Sequence, residues 1–362
     1  MSPIIKVLVV DDSALIRQML TRALSVDPRI EVVGSAKTGV EAIEKAGALA
    51  PDVITLDIEM PELSGIEALP HLIRGSHARV VMLSGVDDPD TTYQALALGA
   101  VDFIAKPRAG FATSLSELSE LVIKKIKTAY RVDPDRRMAH GVPEVGQIES
   151  IGGAGSVVGA RQPGGAAPAM ERLVAFASST GGPPALELVF SGLTRSLPCA
   201  YVVVQHLPSG FTASLARRLG KVTDIRVLEG RHGMVLEGGS AYIAPHGTHM
   251  IVEGTKHPRI QLIDTPSVHG VRPAADPLFT SVASAFGPRA VGVVLTGMGS
   301  DGAQGLKEIH ASGGDTIVQD EGSSVVWGMP GSAARLGAAD RIVPLTRVAA
   351  EIRRTMREGA VL

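Results

Sequence analysis

From residue 4 to about 130, short runs rich in Val, Ile and Leu alternate with segments of helical period, a rhythm that few architectures accept. The apolar runs cover 4–10, 30–34, 53–56, 79–83 and 101–104, with five helical patterns between and after them. Short strands joined by helical crossovers pair in parallel. The expected fold is a doubly wound five-stranded parallel α/β sheet with helices on both faces, and such sheets hold ligands beyond the carboxyl ends of their strands. The last helix, about 114–131, carries Leu115, Leu118, Leu121, Val122 and Ile126 along one stripe.

At residue 132 the rhythm stops. Gly152-Gly153, Gly155, Gly159, Pro163-Gly164-Gly165 and Pro168 break any regular element, so 132–170 reads as a flexible linker. About 40 residues of coil span roughly 30–40 Å, enough for one unit to approach or leave another. A second α/β rhythm fills 171–362, with strands expected at 172–177, 200–205, 225–228, 290–295 and 315–318. Short antiparallel strands are expected at 241–244, 249–253 and 260–263. The organisation is therefore 1–131, a linker, and 171–362, the second unit being a mostly parallel α/β sheet with an antiparallel hairpin region. With 362 residues, 45% of them hydrophobic, the chain is long enough to bury two such cores.

Charge and cysteine usage remove several classes. A formal net charge of −2 gives no general basic field for a phosphate backbone, and nothing after Met170 reads as a helix-turn-helix with a basic face. Cys199 is the only cysteine, in the apolar run 198–204, so no intrachain disulfide forms and a reducing cytoplasm fits. The run at 4–10 is too short to span a bilayer and ends in Asp11-Asp12, unlike a signal peptide. Direct membrane insertion is not expected.

Three carboxylates fall at expected strand ends: Asp11 and Asp12 after the first strand, Asp57 after the third. Clustered carboxylates repel one another, so a bound hard cation such as Mg²⁺ explains them best. With the metal offsetting charge, Asp57 is placed to act as nucleophile toward a phosphoryl group. Lys106 after the fifth strand and Ser84 after the fourth are placed to pair with phosphoryl oxygens. The plainer reading makes Asp11 and Asp12 helix caps and Lys106 a solvated loop charge. Five residues of suitable type at four strand ends weigh against it.

Asp11-Asp12-Ser13, Leu56-Asp57-Ile58-Glu59-Met60-Pro61, Ser84-Gly85 and Lys106-Pro107 resemble the response-regulator receiver family over about 1–128. The resemblance implies that Asp57 takes phosphate from a histidine-kinase phosphodonor. It also implies that Asp11, Asp12, Asp57 and the Glu59 backbone carbonyl hold Mg²⁺, and that Phe103 occupies the aromatic switch position. Ser64-Gly65 stands where the family often has Asp-Gly. A DNA-binding output is the common alternative for a chain that starts this way.

The second unit opens with an apolar strand running into Ser178-Ser179-Thr180-Gly181-Gly182, and Pro183-Pro184 suits the first turn of a helix. A serine on such a turn lies at the strand end beside N–H groups able to stabilise an oxyanion. His206 ends the next strand, and Asp301, in Gly297-Met298-Gly299-Ser300-Asp301-Gly302, follows a later one. The two suit a base and the acid that orients it. Singly these signals are weak, because a Ser-Thr-Gly-Gly turn often only caps a helix and the glycine loop also suits a phosphate cradle. That loop has neither dinucleotide-fingerprint nor Walker A spacing. No histidine pair has convincing zinc-ligand spacing.

Ser179-Thr180-Gly181-Gly182, Gln205-His206-Leu207-Pro208, Ile243-Ala244-Pro245 and the loop from Leu295 to Gly302 resemble the catalytic domain of chemotaxis protein-glutamate methylesterases over 172–355. Carried over position by position, Ser179 becomes the nucleophile, His206 the general base and Asp301 its orienting acid. Thr180 and Met298 become the oxyanion candidates. No cofactor is implied for this hydrolase site. The implied substrates are methylated cytoplasmic segments of chemoreceptors, with glutamine deamidation a further activity of some members, and phosphorylation at Asp57 the activating signal. Ala177 stands where the family usually has Gly, and His246 where Pro-Gly-Gly is common.

Overall fold

The computed structural model describes residues 3–85, 89–106, 115–133 and 168–358. Two compact units, Met1–Gly153 and Ala154–Leu362, divide the chain. Most of the expected linker at 132–170, and Pro107, lie outside the described residues.

In the first unit β1 (Ile5–Val10), β2 (Ile30–Ala36), β3 (Val53–Asp57), β4 (Arg79–Ser84) and β5 (Asp102–Ala105) pair in parallel, in the order β2-β1-β3-β4-β5. The helices are α1 (Ala14–Leu24), α2 (Gly39–Leu49), α3 (Gly65–Gly75), α4 (Pro89–Ala97) and α5 (Leu115–Tyr130). Every residue of β3 is buried, as a central strand covered on both faces requires. The strand order reverses between β1 and β3, which puts Asp11 and Asp57 on neighbouring strand ends.

Local sequence starts these helices sharply. Ser13, Thr38 and Ser64 accept backbone N–H groups of Ile16, Glu41 and Glu67, and Ser64 completes a capping box with Glu67. A Cβ at Gly65 would stand 1.8 Å from the Asp57 carbonyl oxygen, so glycine lets α3 begin against the end of β3. Leu118, Val122 and Ile126 of α5 are buried, but Leu121 is 42% exposed. The buried row repeats every four residues, and Leu121, one position before Val122, points about 100° away from it.

The second unit contains β6 (Arg172–Ser178), β7 (Cys199–Gln205), β8 (Arg226–Glu229), β9 (Ser240–Ile243), β10 (His249–Glu253), β11 (Arg259–Ile263), β12 (Ala290–Val294), β13 (Asp315–Gln319) and β14 (Arg341–Val343). Seven of them form a parallel sheet in the order β14-β13-β12-β6-β7-β9-β8, while β10 and β11 pair antiparallel beside it. Its helices are α6 (Gly182–Ser191), α7 (Thr212–Val222), α8 (Ala275–Phe286), α9 (Ala303–Ala311), α10 (Met329–Arg335) and α11 (Leu345–Glu358). Here the order reverses between β6 and β12, so the residues after β6, β7 and β12 share one edge.

Two expectations change. The segment at 241–244 is not part of the antiparallel region; as β9 it runs parallel between β7 and β8, with Ala241 opposite both Tyr201 and Val227. A four-residue run buried throughout carries no sign of its direction. The three-residue edge strand β14 is also new, and is too short for any pattern to announce it. Among the described residues no helix is long and apolar enough to cross a membrane.

Candidate functional site

The carboxyl edge of the second sheet is laced together by one amide side chain. Gln205, the last residue of β7, donates from Nε2 to the Ser179 carbonyl at 2.9 Å and the His206 carbonyl at 3.1 Å. Its Oε1 accepts the Ser178 hydroxyl at 2.7 Å. Ser178 is fully buried and committed to that bond, whereas Ser179 is half-buried at the turn. This distinguishes two neighbouring serines that the sequence pattern alone left equivalent. A Cβ at Gly182 would fall 1.9 Å from Gln205 Oε1, so the first residue of α6 must be glycine for the amide to fit.

The loop after β12 closes on the same turn. Ser179 N donates to the Thr296 carbonyl at 3.0 Å, and Thr296 Oγ1 donates to the Thr180 carbonyl at 3.0 Å. A Cβ at Gly297 would be 2.9 Å from Ser179 Cβ, which places the Gly297 backbone directly against the serine. Thr180 is buried at the start of the turn, and Met298 is half-buried. The end of β13 and the segment after it clasp this loop: Gly297 N donates to Val326 O at 3.0 Å, and Thr296 N to Gln319 Oε1 at 2.7 Å. Gln205, Thr296 and Gln319 were not anticipated from sequence, because their part is to brace backbone rather than to supply a reactive group.

His206 and Asp301 meet as expected, with Nε2 of the ring 2.7 Å from Asp301 Oδ2. Backbone pairing aims the histidine, since His206 N donates to the Ser178 carbonyl at 3.1 Å. Asp301 is 2% exposed. Its Oδ2 also accepts Ala275 N at 2.7 Å, and its Oδ1 accepts Asp276 N at 3.1 Å. Burial alone would push this carboxyl up, but the hydrogen bond and charge of His206 and the two N–H donors hold it below the usual carboxylate range. With Nε2–H donated to a permanent anion, the ring's Nδ1 is left as the basic nitrogen.

Asp276 and His269 extend the cluster. His269 Nε2 lies 2.7 Å from Asp276 Oδ2, and Asp276 Oδ1 accepts Gly305 N at 2.7 Å. The Ala177 methyl packs against Gly302, and His246 is exposed on the loop after β9.

In the first unit the carboxyl edge gathers Asp11, Asp12 and Asp57, with one oxygen of each within 4.8 Å of the others. Lys106 Nζ lies 2.9 Å from Asp11 Oδ2 and 2.6 Å from Asp57 Oδ2. Burial is the largest influence on Asp57; Lys106 opposes it and Asp11 adds to it, leaving the carboxyl pushed up to about 6. The Lys106 ammonium resists its own burial through the two carboxylates and titrates above its ordinary value. Both carboxylate oxygens facing Lys106 are buried and meet it off hydrogen-bond geometry, so hard oxygen donors remain for a cation. Asp12 and Glu59 are exposed at the rim, where ligands of a partly hydrated ion belong. Ser84 is buried, its hydroxyl 2.5 Å from Thr92 Oγ1 of α4. Phe103 is buried, with the Lys125 ammonium 6.0 Å from its ring centroid.

Comparison with known proteins now decides the family. Residues 174–352 match the CheB methylesterase model, and residues 7–112 match the response regulator receiver domain model. A protein-glutamate methylesterase/protein-glutamine glutaminase of Xanthomonas campestris is 44% identical over 349 residues, covering 95% of both chains. The chain belongs to the CheB methylesterase family. A second member, from Pyrococcus horikoshii and of the same printed name, is 44% identical over 95% of this chain and 91% of its own. The crystal structure of the Thermotoga maritima CheB methylesterase catalytic domain superposes with a TM-score of 0.50 at 34% identity, covering 52% of this chain and 98% of that one. The output half of this family member is thus a methylesterase domain and not a DNA-binding module.

Proposed function

We propose that this chain is a phosphorylation-activated hydrolase that removes methyl groups from glutamate 5-methyl esters on the cytoplasmic segments of chemoreceptors. The observation that carries the reading is the 2.7 Å bond from His206 to a fully satisfied, buried Asp301, at the strand edge where Ser179 sits. Ser179 Oγ attacks the ester carbonyl carbon while Nδ1 of His206 takes the hydroxyl proton. Asp301 holds the ring in the tautomer that makes this possible and stabilises the imidazolium. Backbone N–H groups of Thr180 and Met298 receive the developing oxyanion. The tetrahedral intermediate collapses, the proton passes from His206 to the departing methoxide, and methanol leaves. Water then gives a proton to His206, attacks the acyl carbon and releases glutamate with Ser179 restored. The same acyl chemistry on a glutamine side chain releases ammonia, which makes deamidation a second activity of the site.

In the first unit Asp57 accepts the phosphoryl group from a histidine-kinase phosphodonor, and Lys106 and Ser84 pair with its oxygens. Mg²⁺ held by Asp11, Asp12, Asp57 and the Glu59 carbonyl supplies charge neutralisation when bound. Domains at 1–131 and 171–362, joined by a linker, let the unphosphorylated receiver restrain the catalytic unit, and Phe103 reports the phosphorylated state. A buried lone cysteine suits work in the cytoplasm.

Ser179→Ala tests the assignment directly. Methanol release from methylated receptor is expected to fall by at least about 10³-fold with an unchanged melting curve. Turnover near that of the parent chain would reject the nucleophile.

A further inference from the structure

The helix that holds Asp301 has no cap of its own. Ala274 precedes α8 with no side-chain acceptor to offer, so the first N–H groups of the helix must find partners elsewhere. Three consecutive donors do so: Ala274 N reaches His249 Nδ1 at 3.0 Å, Ala275 N reaches Asp301 Oδ2, and Asp276 N reaches Asp301 Oδ1. His249 is 0% exposed on β10, and its second ring nitrogen, Nε2, donates to the Pro266 carbonyl at 3.1 Å. One nitrogen accepts and the other donates, so both partners demand the neutral Nε2–H tautomer. A buried histidine with both nitrogens committed is a rigid strut between β10 and the turn that orients the catalytic carboxylate.

We propose that His249 is a positioning residue for the hydrolase: its Nδ1 fixes the 274–276 turn, whose two following N–H groups aim Asp301 at His206. The inference rests on Ser179, His206 and Asp301 acting as proposed above. Buried as it is, His249 does not meet substrate, so its effect falls on kcat and leaves KM alone. The contact that matters is the one to Ala274, and Asn and Gln separate it from the other. The Asn amide oxygen takes the place of Nδ1 and still accepts Ala274 N–H. The Gln amide takes the place of Nε2, keeps the Pro266 bond and leaves Ala274 without an acceptor.

The test measures methanol release by the full chain as His249→Asn, His249→Gln, Ser179→Ala and a control, Tyr242→Phe. Tyr242 is 1% exposed, and its hydroxyl bonds Glu237 N and Val235 O, away from Asp301. Expected are a loss in kcat of about 10-fold to 100-fold for H249Q with KM unchanged, and near-parental kcat for H249N and Y242F. Equal kcat for H249Q and H249N, or a loss in H249Q matched by Y242F at equal thermal stability, would overturn the proposal. Should H249Q not fold, H249N decides: kcat within about twofold of the parent chain supports the role, and a loss of tenfold or more overturns it. Turnover by S179A near that of the parent chain would instead reject the underlying reading of the site, which keeps the two failures apart.

Discussion

Both units place buried aspartates at the carboxyl edge of a parallel sheet, next to the point where strand order reverses, yet the two carboxylates are shifted in opposite directions. Asp57 shares its edge with Asp11 and Asp12 and has Lys106 as counter-ion, and burial wins, leaving it pushed up to about 6. Asp301 is as deeply buried but accepts two helix N–H groups and a histidine, and is held low. Topology chooses the location; the donors around the oxygens choose the chemistry. In the proposed function, one carboxylate receives a cation and a phosphoryl group, and the other stays ionised to orient a base.

The comparison breaks most readily at Asp301. Asp301→Asn keeps the shape but removes the charge that fixes the His206 tautomer, and kcat for methanol release is expected to fall about 10³-fold to 10⁴-fold. A loss under tenfold would mean that the carboxylate does not orient the ring.

Asp57 predicts the reverse response to pH. Its folded value lies above the ordinary 3.8, so the native state binds the extra proton between about 3.8 and about 6, and the first unit loses stability as pH rises through that window. Asp57→Asn is expected to raise stability at pH 7 by up to about 3 kcal/mol, read from denaturant melts. Asp301 has the opposite sign: its contribution is present above the ordinary carboxylate range and lost as pH falls through its depressed value. A D57N chain less stable than its parent at pH 7 would contradict the account of Asp57.

Mg²⁺ sharpens the contrast. A protonated Asp57 is a poor ligand, so calorimetric Mg²⁺ affinity is expected to fall up to tenfold for each pH unit below about 6. An affinity indifferent to pH between 5 and 7 would remove Asp57 from the ligand set. The smallest expected effect lies at Ser64, where Ser64→Ala removes the capping box of α3 and costs about 1 kcal/mol in denaturant melts without changing the Asp57 titration.

Strand ends were the legible part of this sequence. Asp11, Asp57, Ser84 and Lys106 in the first unit, and His206 and Asp301 in the second, all follow apolar runs, and in a parallel sheet that alone sends each set to the carboxyl edge of its own sheet. Ser179 was preferred to Ser178 only through the family resemblance, because the physical difference depends on Gln205 tying Ser178 down from the neighbouring strand. Not legible either were the links of Asp276, His249 and His269 to the segment around Asp301, which run through backbone N–H groups or through one another across folded distances. The direction of β9 and the existence of β14 were hidden by shortness, since runs of three or four residues show no period.

The central claim is that the phosphoryl edge of one unit controls ester hydrolysis at the edge of the other. Methanol release from methylated receptor by the full chain, with and without a small-molecule phosphodonor and Mg²⁺, tests it most directly, with D57N and S179A alongside. The account expects turnover to rise with phosphodonor in the parent chain, to stay at the resting rate in D57N, and to fall by at least about 10³-fold in S179A. Equal turnover with and without phosphodonor in the parent chain, or the same rise in D57N, would contradict it.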